Sequence, residues 1–249
     1  MPMTTSINTL VISLCVILGC GKSSTSEPPP ETAKMEVFEM LAADRDAVRH
    51  RSDGGGTVVM TGDSPKEVVA SSRHSFEFVY TVGPLGISEG GQLIFQVSPF
   101  WEWTAPQVQM EQAPGYTTVN TDADGVVLDL RFPDPRMLSI VVSGRALKEG
   151  EQIHIGYGVG PAGAQVDRYA ESKERFWFGV DGNGDGVRQW VESLPVIDII
   201  PGPPSQLLMT LPTTSTPQRE VKLTLALLDS IGNMGTQYEG TVSLHLPKG

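Results

Sequence analysis

The sequence predicts an all-β chain: a β-sandwich domain followed by a partial immunoglobulin-like β domain. Three observations carry this expectation. Apolar and polar residues alternate with period two through much of 76–159, which puts one side of each strand on a core and the other in water. Glycine-rich turns separate these runs, and 27 glycines with 19 prolines suit many short strands. A proline-rich break, "IIPGPPSQ" at 199–206, then divides the chain, because proline removes backbone donors and stiffens a connection.

Taken in order, residues 1–19 read as a lipoprotein signal peptide. "LVISLCVILGC" is apolar, too short to span a bilayer comfortably, and long enough for a signal h-region. Its end, Ile17-Leu18-Gly19-Cys20, looks like a lipobox, where the chain is cut ahead of a cysteine that carries lipid. The preceding "MPMTTSINT" departs from the pattern in having no Lys or Arg. Residues 20–33, with "GKSSTSEPPPET", have the small, polar, Pro-rich composition of a flexible tether. Of the two cysteines, Cys15 would leave with the signal and Cys20 would be lipidated, so no disulfide is expected. The implied location is the cell envelope, outside the cytoplasm. In a Gram-negative host it is the outer membrane, because Gly21 stands where aspartate would favour inner-membrane retention.

Residues 34–200 form the predicted sandwich. "KMEVFEMLAADRDAVRH" fits either a strand with a helical turn or one short helix, and "RSDGGGTVVMTGDSP" reads as loop, strand and turn. Then Phe76, Phe78, Tyr80 and Val82 share a face, as do Leu93, Phe95 and Val97. Val126, Leu128, Leu130 and Phe132 repeat the pattern, followed by Leu138, Ile140 and Val142, then Ile153, Ile155, Tyr157 and Val159. These read as half-buried antiparallel strands. Residues 201–249 offer three more, "SQLLMTLP", "EVKLTLALLDS" and "GTVSLHLP", which with the "LDSIGN" turn resemble the first half of a bacterial immunoglobulin-like repeat. Such a truncated domain would leave Val221, Leu223, Leu225, Leu227, Val242, Leu244 and Leu246 without a covering sheet, so it is expected to be the least stable part and to self-associate.

The net charge of −11 argues against nucleic acid as a partner and suits cations, or serves solubility alone. "DGNGDGVRQWVE" at 181–192 has the oxygen-ligand order of a calcium loop. Asp181, Asn183 and Asp185 are the expected ligands, with Glu192 at the twelfth place. Strand-like "FWFGV" precedes it where an EF-hand has a helix, and Arg188 holds the usual hydrophobic eighth place. Calcium is therefore the candidate cofactor, and an acidic Gly-rich hairpin is the competing reading. "FWEW" at 100–103 offers Trp101 and Trp103 as aromatic surface for sugar rings or a protein partner, against simple core packing. "GYGVGPAG" at 156–163 lacks the following helix of a phosphate loop and reads as a wide glycine loop. The histidines His50, His74, His154 and His245 form no HxH or HExxH pair, and no GxSxG elbow occurs. The chain is thus expected not to be an enzyme.

The order "YTVGPLGISEGGQLIFQVSPFW", "PGYTTVNTDADGVVLDL", "GRALKEGEQIHIGYGVGPAGAQVDRYAE", "FWFGVDGNGDGVR", "PGPPSQLLMTLP" and "LDSIGN" resembles the front half of a family of large exported bacterial proteins of unknown function. The later half of that family resembles PHP-type metal-dependent hydrolases. The resemblance covers about residues 75–249 and includes no catalytic motif. It implies an accessory β-region; with the lipobox-like segment and the Asp/Gly loop, the expected function is a lipid-anchored, non-catalytic, extracytoplasmic β-sandwich accessory module of a hydrolase-like protein, stabilised by calcium if the loop binds it. The alternative is a free-standing cell-surface module binding carbohydrate or an envelope protein.

Overall fold

The computed structural model describes Glu39, Ala42, Ala43 and residues 45–245. The lipobox, Cys20 and the tether lie outside the described residues. The chain divides into two units, Met1–Asp46 and Ala47–Gly249. In the first, the described residues Glu39, Ala42, Ala43, Arg45 and Asp46 are helical.

The second unit is all β. Its strands are β1 (Thr57–Thr61), β2 (Glu67–Val69), β3 (Arg73–His74), β4 (Phe76–Thr81), β5 (Gln92–Gln96), β6 (Thr117–Asn120), β7 (Val127–Asp134) and β8 (Met137–Ser143). There follow β9 (Gln152–Tyr157), β10 (Ala164–Gln165), β11 (Glu171–Arg175), β12 (Trp177–Asp181), β13 (Gln189–Trp190), β14 (Val196–Ile200), β15 (Gln206–Thr210) and β16 (Thr224–Leu228). Two antiparallel sheets make the sandwich, one in the order β1-β4-β9-β6 and one in the order β13-β12-β5-β8-β7. A smaller sheet, β11-β14-β2, includes one parallel pair, β14 with β2.

Period-two patterning builds the core between the large sheets. Phe76, Phe78 and Tyr80 of β4, with Ile153, Ile155 and Tyr157 of β9, point inward. They meet Leu93 and Phe95 of β5, Leu138, Ile140 and Val142 of β8, and Phe178 and Val180 of β12. The two layers join through rings: Phe78 lies 5.6 Å from Phe95 and 5.2 Å from Phe178, and Phe95 lies 5.5 Å from Tyr157, centroid to centroid. Phe176, just ahead of β12, adds edge contacts to Phe78 and Tyr157.

Three expectations need correction. β5 and β8 are buried on both faces, since Ile94, Ser139 and Val141 are buried as well. The polar positions on that second face satisfy one another: Ser139 donates to Gln92, which donates to Asp181. Phe132 does not continue the buried phase of Leu128 and Leu130, because a register shift between Arg131 and Asp134 leaves it exposed. Among the described residues of the C-terminal region, β15 and β16 pair and Leu228 makes a single bridge with Met234, while the described residues of "GTVSLHLP" form no ladder. Every residue of β15 is exposed.

Candidate functional site

A groove of about 450 Å³ opens between the 98–101 loop, β11, β12 and β13. Phe100 and Trp101 form one wall, Trp177 and Trp190 line it further along, and Glu171 and Glu174 supply its charge. Phe100 is 62% exposed, Trp101 51% and Trp190 37%, so aromatic surface is open to solvent here.

Unusual backbone aims these side chains. Trp101 and Glu102 have φ of 55° and 76°, a left-handed conformation that costs a non-glycine residue energy. Arg168 holds the turn. Its N–H donates to the Trp101 carbonyl at 3.1 Å, and its guanidinium pairs with Glu102 at 3.1 Å. Trp101 then meets Tyr169 edge-on at 5.1 Å. In β11, Glu171 pairs with Ile199 and Glu174 with Ile197, so three steps on one strand oppose two on the other. Lys173 takes up the extra residue with a φ of 59°, and its N–H donates to Asp198 at 2.9 Å. Side chains three apart on a regular strand point to opposite faces. This bulge instead brings Glu171 and Glu174 to the same groove.

A third carboxylate lies close by. Asp167 is fully buried, with Oδ1 accepting the Tyr169 N–H at 2.8 Å and the Trp103 indole N–H also directed at its carboxyl. Burial pushes its carboxyl up to about 6, and the charge of Glu171 adds to this. Glu174 is pushed up to about 7, first by burial, then by sharing a proton with Glu171 and by the charges of Glu171 and Asp167. Elsewhere, burial would raise Asp229, but the Asn233 amide and backbone N–H donors hold it at about 2. The signs of these shifts predict a bell-shaped stability curve. Asp167 and Glu174 hold protons more tightly folded than unfolded, so their contribution is complete near pH 4 and is lost as pH rises through about 6 and about 7. Asp229 contributes above its unfolded value of about 4, and that contribution is lost as pH falls toward about 2. Calorimetric melting temperatures should fall between about pH 5 and pH 8, and Glu174→Gln should shrink that fall. A melting temperature that climbs steadily over the same range would contradict the assignment.

The residues expected from the sequence fare differently. Trp101 lines the groove, but Trp103 is buried in the core, edge-on to Phe176 at 5.6 Å. Trp103 therefore has no surface to offer a ligand; the left-handed turn at Trp101 and Glu102 separates the two indoles. In the Asp/Gly loop, Asp181 is fully buried and its oxygens accept N–H bonds from Gly184 at 2.7 Å and Gly186 at 2.9 Å. Asn183 donates to Asp185 at 2.8 Å. That bond is the first cause of a lowered Asp185 carboxyl, followed by the Val187 N–H. Glu192 is exposed beyond β13. Among the described residues, no group of three or more His, Cys, Asp or Glu is arranged to hold a metal ion. The "GYGVGPAG" segment borders a shallow cavity with Arg73 and His74. A Cβ on Gly158 would come within 2.6 Å of the His74 carbonyl oxygen, which explains glycine there.

Asp167, Glu171, Glu174, Trp177 and Trp190 were not singled out as site residues from the sequence. "FWF" at 176–178 was legible as aromatic concentration, but the bulge that pairs the two glutamates leaves no pattern in "AESKER".

No family model matches the chain, and no curated protein matches it. Among solved structures it is similar to a cohesin module from the family 33 glycoside hydrolase of Clostridium perfringens, with 13% identity and a TM-score of 0.31. That match covers 59% of this chain and 98% of the other. It is also similar to a C-terminal fragment of the major pilin of Streptococcus agalactiae, at 8% identity and a TM-score of 0.31, over 57% of this chain and 55% of that one. The major subunit of aggregative adherence fimbriae type I from Escherichia coli matches at 12% identity and a TM-score of 0.28, over 59% of this chain and 94% of that one. The chain itself is an all-β protein built on a β-sandwich.

Proposed function

We propose that this chain is an extracytoplasmic, non-catalytic β-sandwich module that binds carbohydrate in the groove between Trp101 and Trp190. The observation that carries this reading is the exposure of Phe100, Trp101 and Trp190 around one groove that also holds two carboxylates. Flat indole faces stack on the C–H faces of pyranose rings, and carboxylates accept hydrogen bonds from sugar hydroxyls. The built backbone at Trp101 and Lys173 supports it, since strain of this kind persists where the surrounding structure holds a particular geometry. Titration with soluble oligosaccharides chosen from a glycan array tests the reading. Trp101→Ala should weaken binding by about ten-fold or more, whereas Phe132→Ala, an exposed aromatic on β7, should leave it unchanged. Equal effects of the two changes would remove the groove from the explanation.

The module is held at the membrane, in this reading, by lipid on Cys20. The lipobox-like Ile17-Leu18-Gly19-Cys20 and the polar tether behind it support the anchor. Intact mass should show a mature chain beginning at Cys20 with acyl chains, absent from Cys20→Ser. The sequence order resembling the front of exported hydrolase-like proteins supports a second reading, an accessory region working beside a separately encoded catalytic half. A downstream reading frame rich in histidine metal motifs is its check.

A further inference from the structure

We infer that two copies of this chain join edge to edge through β15, antiparallel about a two-fold axis at Leu208, to form a four-stranded sheet in the order β16-β15-β15-β16. Exposed leucines in 201–249 predict self-association; the structure supplies the edge and the register. Among the described residues β15 pairs with β16 alone, and every residue of β15 is exposed. The other edge of the ribbon is partly taken. There the chain returns along β16, Met234 bridges Leu228, and the Thr236 hydroxyl donates to the Leu227 carbonyl at 3.4 Å. β15 therefore carries the open row of N–H and C=O groups, which an added strand satisfies. Natural edges are commonly blunted by charge, proline or a bulge. Residues 206–210 hold no charged residue and no proline, and their register runs unbroken from Gln206↔Leu228 to Thr210↔Thr224.

The occupant of that edge is a second copy because β15 is complementary to itself. Directly opposed residues of antiparallel strands share a face of the sheet. With the axis at Leu208, Leu207 meets Met209 of the second copy, Leu208 meets Leu208, and Gln206 meets Thr210, so apolar faces apolar and polar faces polar. Pro204 and Pro212 stand four residues to either side of Leu208, which ends the paired window symmetrically. Leu207 and Met209 also share a face with Leu227 and Leu225, their partners on β16. Pairing thus extends each apolar row across four strands, from Leu227 and Leu207 to Met209 and Leu225 of the second copy. A two-stranded ribbon is marginal in water, whereas three or more strands with an apolar face are not. Charge favours the same place. The chain carries a net −11 and repels its own copy, but β15 and β16 hold no charged residue. Such a contact uses the same patch on both copies, so it closes as a dimer.

The test is sedimentation equilibrium of the purified full chain in density-matched detergent, with circular dichroism to confirm the fold of each variant. The unmodified chain should show a monomer–dimer equilibrium. Leu208→Lys and Leu208→Asp each place two like charges face to face at the axis, and each should weaken the dimer by about ten-fold or more. An equimolar mixture of the two variants should restore it, because Lys then faces Asp. Val127→Lys, at an equally exposed apolar position on the edge strand β7, should leave dimerisation unchanged. Hydrogen exchange of the unmodified chain gives a reading that needs no variant: protection over 205–211 should rise with concentration while that over 127–131 stays constant. A chain that is monomeric throughout, or a dimer that survives Leu208→Lys, overturns the inference. So does a mixture that pairs no better than its components, an assembly that grows beyond two copies, or protection at β15 indifferent to concentration.

Discussion

Asp229→Ala is expected to release the β15–β16 hairpin from the sandwich. Asp229 is buried, and its carboxylate accepts bonds from the backbone of Gly202, Ile231, Gly232 and Asn233 and from the Asn233 side chain, all at 2.8–3.0 Å. Asn233, positioned this way, is the peg: its side chain accepts from Ala170 N–H and donates to the Arg168 carbonyl, both at 3.0 Å. The hairpin has little else to hold it. β15 is exposed throughout, and a two-stranded ribbon is marginal alone in water. Removing a buried, hydrogen-bonded carboxylate costs on the order of 3 kcal/mol or more, because several donors lose their partner together. Hydrogen exchange should show protection lost over 206–210 and 224–228 and retained over 76–81 and 152–157. Unchanged protection in the hairpin would show that something other than the Asp229–Asn233 turn secures it. The released strands carry the already exposed Leu207, Met209 and Leu225 on a hairpin free to pair with another chain, so the variant should also associate more readily with itself.

Asp181→Ala should be of similar size, for a related reason. The carboxylate is fully buried and accepts bonds from Gly184, Gly186 and, at 3.3 Å, Gln92. Its loss leaves three donors unpaired and should cost about 3 kcal/mol or more of stability, with or without metal. That variant cannot by itself report on calcium. Asp185 can, since it is exposed and bonds only to Asn183 and Val187 within the loop. We propose that the loop takes calcium, on the ligand order of Asp181, Asn183 and Asp185 and on the positive φ of Gly184 and Gly186, 80° and 89°, which let the chain wrap tightly. Saturating calcium at 100 times Kd should then add about 2.7 kcal/mol of stability to metal-stripped protein, and Asp185→Ala should remove the gain. A wild-type melting curve indifferent to calcium would leave the loop a hydrogen-bonded turn.

The alternation of Phe76, Phe78 and Tyr80, and of Ile153, Ile155 and Tyr157, was legible as strand because burial on one face imposes period two directly on sequence. Asp181 stood out for the same kind of local reason, since a tight acidic Gly-rich turn is written in consecutive residues. Trp101 and Trp103 show where this stops. Two residues apart in "FWEW", they look equivalent, yet one lines the groove and the other packs on Phe176. The left-handed φ values of Trp101 and Glu102 decide between them, and no residue type announces such a conformation outside glycine.

By itself, then, the sequence determined that the chain is built of strands with an alternating apolar face and which of the rings on β4 and β9 enter the core. These follow from local periodicity and from hydrophobic burial, which act over a few residues. Only the tertiary structure decided that Glu171 and Glu174 line one groove with Trp101, Trp177 and Trp190. That convergence depends on a bulge pairing Glu171 with Ile199 and Glu174 with Ile197, and on a loop pinned by Arg168 from across the fold. Strand register and long-range pairing couple residues far apart in sequence, and so leave no period for a local reading to detect.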